Sequence, residues 1–245
     1  MKQNVYDDPQ FFAGYKALRD NDSGLNGALE EPAVLGLLPD LEGGRVLDLG
    51  SGFGDFCRLA RRRGAASVCG VEISQRMLET ARGRTDDAGI EYAHAAIEDF
   101  DIRPASYDLV VSRMALHYVR DYAAVVHAVQ AGLLPGGRFV FSVEHPICTA
   151  LCRGWHEDDQ GEPPFWPVDD YGRESERRQR WFVDGVVKYH RTVQTYVNTL
   201  LDAGLMLARL LEPHAEPGDI ERRPDLQATV RRPPLLVIAA DKPPD

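Results

Sequence analysis

Apolar and polar positions alternate with two different periods along the first 146 residues. Short apolar runs closed by glycine or a polar residue read as buried strands. Stretches in which apolar residues return every third or fourth position read as helices packed on one face. Residues 26–38 carry Leu29, Ala33 and Leu37 at helical spacing and are closed by Pro39. Gly43 and Gly44 turn the chain into a first strand at 46–49. A helix opening near Asp55 directs Phe56, Leu59 and Ala60 inward. A second strand, SVCGVE, ends at Glu72, and Ser74 is placed to cap a helix whose apolar stripe is Met77, Leu78 and Ala81. Residues 91–95 and 107–112 read as the third and fourth strands. Asp121 opens a helix to Leu134, with Val125, Ala128 and Val129 inward, which Pro135, Gly136 and Gly137 stop. A fifth strand, RFVFSVEHP, is broken at Pro146. Strands and helices in this alternation predict a parallel sheet covered on both faces.

The pattern changes after residue 146. Residues 147–191 hold three tryptophans (155, 166 and 181), paired acids and several prolines, and end in two β-prone runs around Asp184-Gly185, a hairpin signal. A connection of this length that carries aromatics fits a lid or a binding element. Trp155, Trp166, Trp181, Tyr171, Tyr189 and His190 are its candidates for lining a ligand pocket, or for pinning the insert down. Thr192 then caps a helix presenting Val193, Tyr196, Val197 and Leu200, ended by Gly204. LMLARLLE and PLLVIAA read as late strands with loop between them. The expected organisation is one domain over 1–245: a helical N-terminal lid (1–38), a core (40–146), the insert (147–191), and a C-terminal helix and strands (192–245).

Charge narrows the partners. Thirty-eight acidic against 28 basic residues give a net charge of −10, which disfavours nucleic acid or an anionic membrane surface. No apolar run reaches the length of a membrane span, and Asp7-Asp8 stands where a signal peptide would be apolar. The expectation is a cytoplasmic protein. Cys57 and Cys69 sit in apolar segments, and Cys148 and Cys152 lack further ligands at zinc spacing, so no metal is expected. The arginines at 61–63 and the RRQR run at 177–180 read as solvated faces.

The chemistry concentrates at VLDLGSGFG. Gly50, Ser51, Gly52, Phe53 and Gly54 give G-x-G-x-G between a strand and a helix, where glycines allow a tight turn and close approach to a ligand. A dinucleotide fingerprint wants a third glycine at position 55, and Asp55 stands there instead. The loop therefore suits a ligand without a diphosphate. Asp48 lies at the carboxyl edge of the first strand, facing the ligand crevice or capping the loop. Glu72 closes the second strand about twenty residues beyond the glycines, either as a carboxylate accepting from ribose hydroxyls or as an exposed acid beside the next helix N-terminus. Ser112 ends the fourth strand at the same edge. His117 and His145 follow the fourth and fifth strands, either as proton-accepting groups or as hydrogen-bonded structural histidines.

Together these motifs resemble the class I S-adenosylmethionine-dependent methyltransferases, in the small-molecule, methyltransferase type 11-like group. The resemblance covers residues 40–146. It implies an α/β, Rossmann-like, doubly wound seven-stranded sheet with the last strand antiparallel, here with the aromatic insert after strand five. It implies S-adenosyl-L-methionine as cofactor, leaving as S-adenosyl-L-homocysteine. Gly50, Ser51 and Gly52 would take the methionine portion, Glu72 the ribose, and Ile73 and Met77 the adenine. Ile97 would contact the ring through its backbone. Ala96 replaces an aspartate frequent in the family, with Glu98 as the substitute. The aromatic segment holding Tyr6, Phe11, Phe12 and Tyr15 would fold over the cofactor, with Tyr15 at its carboxylate. The implied reaction is methyl transfer to oxygen, nitrogen or carbon of a small molecule by a monomer or homodimer, with His145 and His117 as base or orienting group. Two other readings stand beside it: a nicotinamide-dependent oxidoreductase on the same sheet, and a silent partner protein keeping the fold without the chemistry.

Overall fold

The computed structural model describes residues 2–21, 24–156 and 164–244. Five strands, β1 (Arg45–Leu49), β2 (Ser67–Glu72), β3 (Ile90–His94), β4 (Tyr107–Arg113) and β5 (Leu133–Glu144), run parallel. After a separate hairpin of β6 (Ser175–Trp181) and β7 (Val183–His190), the strands β8 (Met206–Leu211) and β9 (Leu235–Asp241) complete the main sheet. Its order is β3-β2-β1-β4-β5-β9-β8, and β9 is antiparallel to both neighbours. This is the expected Rossmann-like sheet with its last strand reversed. The order turns back between β1 and β4, so the crevice for a ligand opens at the carboxyl ends of those strands.

The helices are α1 (Pro9–Asp20), α2 (Glu31–Leu35), α3 (Asp55–Arg62), α4 (Gln75–Gly83), α5 (Tyr122–Gly132), α6 (Pro146–Thr149), α7 (Val193–Asp202), α8 (Pro217–Arg222) and α9 (Gln227–Arg231). Strand residues alternate between the faces of the sheet. Leu47, Leu49, Val110 and Phe141 pack with Val125 and Val129 of α5 and with Tyr196 and Leu200 of α7. Val46, Val111 and Val140 pack on the other side with Val34 of α2 and with Phe56 and Ala60 of α3. Both faces are therefore dry, which is why these strands read as near-continuous apolar runs. Among the described residues no helix is long and apolar enough to cross a membrane.

Several local expectations change. Residues 26–38 form a wide π-type turn, Asn26–Glu30, before the short α2. Helix α5 stops at Gly132 rather than Leu134. A side chain at Gly132 would stand 2.3 Å from Ile102 Cγ2, and Leu133 already pairs with Tyr107. Pro135 to Gly137 consequently lie within β5, as an irregularity that Gly136 (φ +77°) permits. The hairpin turns at Phe182, with Trp181 opposite Val183, and Asp184-Gly185 falls inside β7. Docking on α1 fixes that turn: the Phe182 ring occupies the space beside Gly14, and its carbonyl accepts from Gln10 Nε2 at 3.2 Å. Between β8 and β9 the expected loop contains α8 and α9, because Leu226 packs into a buried cluster with Leu29, Ala215 and Leu235. Two arginines of the presumed solvated runs are anchors: Arg61 pairs with Asp87 at 3.0 Å, and Arg177 donates to the Ala150 carbonyl at 2.9 Å. Residues 157–163, which include the paired acids Asp158 and Asp159, lie outside the described residues.

Candidate functional site

The site begins where β1 ends. Gly50 has φ +83°, and a Cβ there would stand 2.5 Å from Ala115 Cβ, so both the turn and the close packing require glycine. Gly54 (φ +72°) leaves room for the Tyr92 hydroxyl before α3 starts. The side-chain direction of Gly52 is open. The amides of Gly50 and Ser51 both donate to Val71 O, at 2.8 and 2.9 Å, which ties the loop to β2. Glu72 closes it from the side. Its Oε2 accepts from Gly52 N–H at 2.9 Å, and its Oε1 accepts from Ser74 N–H at 2.9 Å. Ser74 in turn caps α4 by accepting from Met77 N–H at 3.1 Å. Burial pushes the Glu72 carboxyl pKa upward, while the amides of Ser74 and Gly52 pull it back.

Asp48 is buried, and its carboxylate accepts from Cys57 Sγ at 3.3 Å. Burial raises its pKa from the ordinary 3.8 to about 7. Such a group binds its proton more tightly folded than unfolded. Its contribution to stability is full below about pH 4 and is lost as pH rises to about 7. Asp48→Asn should therefore flatten the fall in thermal midpoint across that window. Glu72, shifted in the same sense, leaves a residual slope. An unchanged midpoint-against-pH curve in the variant would refute this assignment.

These residues open on a cavity of about 820 Å³. Asp48, Gly50, Ser51, Gly52 and Glu72 line one end, with Ile73, Met77, Ile97 and Glu98 beside them. Tyr15 and His117 also face it. Two expected residues do not. The Ser112 hydroxyl donates to Leu49 O at 2.8 Å, clipping β4 to β1 inside the core. His145 points away from the cavity: its Nδ1 accepts from Ile147 N–H at 3.2 Å, capping α6, and its Nε2 donates to Glu212 Oε1 at 2.7 Å. With both ring nitrogens engaged, His145 has no lone pair to offer a ligand, and burial lowers its pKa. Of the insert aromatics, Trp166, Trp181 and Tyr189 line the cavity. Trp155 instead packs edge-on against Trp166, and Tyr171 accepts from Val193 N–H. His190 is held between Thr149 Oγ1 and Tyr171 O, at 2.7 and 2.9 Å.

The N-terminal segment and the hairpin wall the cavity in. The Gln3 side chain pairs with both backbone groups of Val187, at 3.1 and 2.6 Å. Asp7 accepts from Ser74 Oγ at 2.6 Å and from Arg76 N–H at 3.1 Å. Tyr6 packs edge-on against Phe11, Tyr15 and Tyr118. Four charged groups at the site escape the sequence reading. Glu30, fully buried, accepts from Arg113 Nε at 3.0 Å through each oxygen and from Ser142 Oγ at 2.7 Å. Lys188, also buried, donates to Glu144 Oε2 at 2.6 Å. The backbone N–H of Glu144 donates to His117 Nδ1 at 3.4 Å. Burial, reinforced by the Lys188 and Arg191 cations, pushes the His117 pKa well down, so the ring is neutral with its proton on Nε2. The available signal was positional: Arg113 and Glu144 each end a strand at the crevice edge, and Glu30 adjoins the apolar Leu29.

Residues 47–141 match the family model for a methyltransferase domain. An S-adenosylmethionine-dependent methyltransferase structure from Mesorhizobium loti is 41% identical and superposes with a TM-score of 0.84, over 89% of this chain and 100% of that one. An uncharacterised protein of Haemophilus influenzae is 35% identical over 98% of both chains. The ubiquinone biosynthesis O-methyltransferase of Neisseria meningitidis is 39% identical over 107 residues, which is 42% of this chain and 45% of that one. The nicotinamide reading gives way to these matches. Ser51 Oγ, a buried hydroxyl with no partner among the described residues, stands beside the open face of Gly52 and fits a polar ligand seated on the loop. Sheet order, loop and full-length identity agree, and the chain belongs to the class I S-adenosylmethionine-dependent methyltransferases.

Proposed function

We propose that the protein methylates a small molecule held between the glycine loop and the β6–β7 hairpin, with His117 touching the acceptor. The observation that carries this is a partly open cavity that runs from the glycine loop to the hairpin. Its volume of about 820 Å³ lies in the upper part of the range for ligand pockets and has room for a nucleoside cofactor and a second molecule. S-adenosylmethionine supplies a methyl group already activated by its sulfonium. What this chain contributes is position and dryness. Glu72 has lone pairs left beyond those used by Gly52 and Ser74, and these suit a ribose diol. Ile73, Met77 and Ile97 give apolar walls for a flat base. Glu98 has no hydrogen-bonding or charged partner among the described residues, and it stands where it can meet the base.

At the other end His117 offers Nε2–H as a donor to the acceptor, since Nδ1 is engaged by Glu144 N–H. Glu144, steadied by Lys188, is the carboxylate placed to receive the acceptor's proton. Trp181, with Lys188 over its ring at 5.5 Å, shields this pair from water. Holding the acceptor in line is the larger contribution to rate, since the leaving group is already activated.

The test is methyl-labelled cofactor incubated with a whole bacterial extract, separated afterwards into small molecules, RNA and protein. Label should pass to a low-molecular-weight product. Cofactor binding without any transfer would return the silent-partner reading, and label found only in RNA or protein would end the small-molecule one. On the acceptor so identified, His117→Ala should lower turnover about tenfold or more with S-adenosylhomocysteine affinity within about threefold of the parent. His145→Ala should lower the thermal midpoint and leave turnover of the folded protein within about threefold. The reverse pattern would restore His145 to the chemistry.

A further inference from the structure

We propose that Arg232 forms a carboxylate-binding subsite at the hairpin end of the cavity, so that the methyl acceptor is a molecule bearing a carboxylate. This rests on the reading of that end as the acceptor site. Arg232 lines the cavity together with Trp166 and Cys148. Its guanidinium carbon lies 4.0 Å from the Trp166 ring centroid. Trp166 is itself fixed, donating Nε1–H to Ile147 O at 2.9 Å and taking Trp155 edge-on. The plane of the guanidinium is therefore set before any ligand arrives.

Only one edge of that plane is used. Nη1 donates to Cys148 Sγ. Nε is buried and has no hydrogen-bond partner among the described residues. Nη2 shares the remaining edge, which is the side-on fork that matches a carboxylate. The same chain shows the fit elsewhere: Arg138 holds Asp241 through Nε and Nη2 at 2.6 and 2.9 Å.

Charge accounting singles out the same residue. Of the other cations lining the cavity, Lys2, Arg19, Arg113, Arg178 and Lys188 each have a carboxylate partner. Arg120 is exposed. Arg232 is partly buried and has no carboxylate partner among the described residues. The nearby acids are committed, Glu144 to Lys188 and Glu212 to His145. Cys148 does not neutralise the charge, because burial pushes its thiol up to about 12. A cation fixed by stacking, with an unused buried N–H beside a cavity, fits a planar anion carried by the ligand.

Benzoate, benzamide and phenyl phosphate serve as probes, titrated by NMR into the full-length protein with and without S-adenosylhomocysteine. Benzoate should bind at least about tenfold more tightly than benzamide. R232Q should bring the two within about twofold, and R232K, which keeps the charge and loses the fork, should retain only part of the preference. S-adenosylhomocysteine affinity should stay within about threefold in both variants, showing an intact fold and cofactor loop. Equal binding of benzoate and benzamide, a preference that survives both variants, or an Arg232-dependent preference for phenyl phosphate over benzoate would overturn the assignment. Failure of S-adenosylhomocysteine to bind would count against the cofactor site alone, since the carboxylate preference is also read without it.

Discussion

Replacing Glu72 by alanine is expected to remove most binding of S-adenosylhomocysteine, by about a hundredfold or more. The carboxylate does two jobs at once. It holds the amides of Gly52 and Ser74 at 2.9 Å, fixing the glycine loop against the start of α4, and it faces the cavity where a ribose diol would donate. Hydrogen bonds to a charged acceptor contribute roughly 1.5–3 kcal/mol each, so losing two to a ligand is worth about two to four decades of affinity. The truncation also orphans two backbone N–H groups. Their cost, roughly 1–3 kcal/mol each, should lower the thermal midpoint by about 4–24 °C in a chain of this length. Glu72→Gln separates the two effects. Its amide oxygen can still accept one of the two amides, so it should recover part of the stability and less of the affinity. Calorimetry on the folded variants reads this directly. If Glu72→Ala binds S-adenosylhomocysteine within about threefold of the parent, the carboxylate is a loop clamp only, and the ribose must be held elsewhere.

The fold and the cofactor end of the site were legible because their signals are local. Strand β2 ends at Glu72 and α4 is capped by Ser74 because backbone period and cap chemistry are written in adjacent residues. The loop at 50–54 could be read because Gly50 and Gly54 need positive φ. The acceptor end was hidden because its pairs form only on folding. Lys188 meets Glu144 across 44 residues, and Arg113 meets Glu30 across 83. His145 shows the same limit from the other side. Its place after the fifth strand suggested chemistry, and Glu212, 67 residues later, takes its Nε2. Where short-range signals failed, packing won: Phe182 against Gly14 moved the hairpin turn off Asp184-Gly185, and Ile102 against Gly132 ended α5 early.

The Glu30–Arg113 pair should behave as a unit whose halves are each costly to remove and whose joint replacement is tolerated. Glu30 joins three parts of the chain. From the N-terminal turn it accepts from Arg113 at the end of β4 and from Ser142 in β5, whose hydroxyl accepts from Met114 N–H at 3.0 Å. Glu30→Met would leave Arg113 with Glu31 alone, a weaker partner that is 40% exposed. Arg113→Met would leave a fully buried carboxylate with only the Ser142 hydroxyl. Breaking one half of a buried pair costs roughly 3–5 kcal/mol, or about 6–20 °C in thermal midpoint here. An apolar pair of similar volume avoids the stranded charge, so the double variant should return to within about 5 °C of the parent. Function should not return with it. Arg113 is the cation that pulls the Asp48 carboxyl pKa back against burial, and it lines the cavity. Without it the carboxylate at the methionine end of the cofactor loses a guanidinium donor on that wall. The stable double variant should therefore bind S-adenosylhomocysteine at least about tenfold more weakly. A double variant as unstable as either single would show that the pair is valued for the hydrogen bond that Glu30 accepts from Ser142 rather than for mutual neutralisation, and unweakened binding would take Arg113 out of the cofactor site.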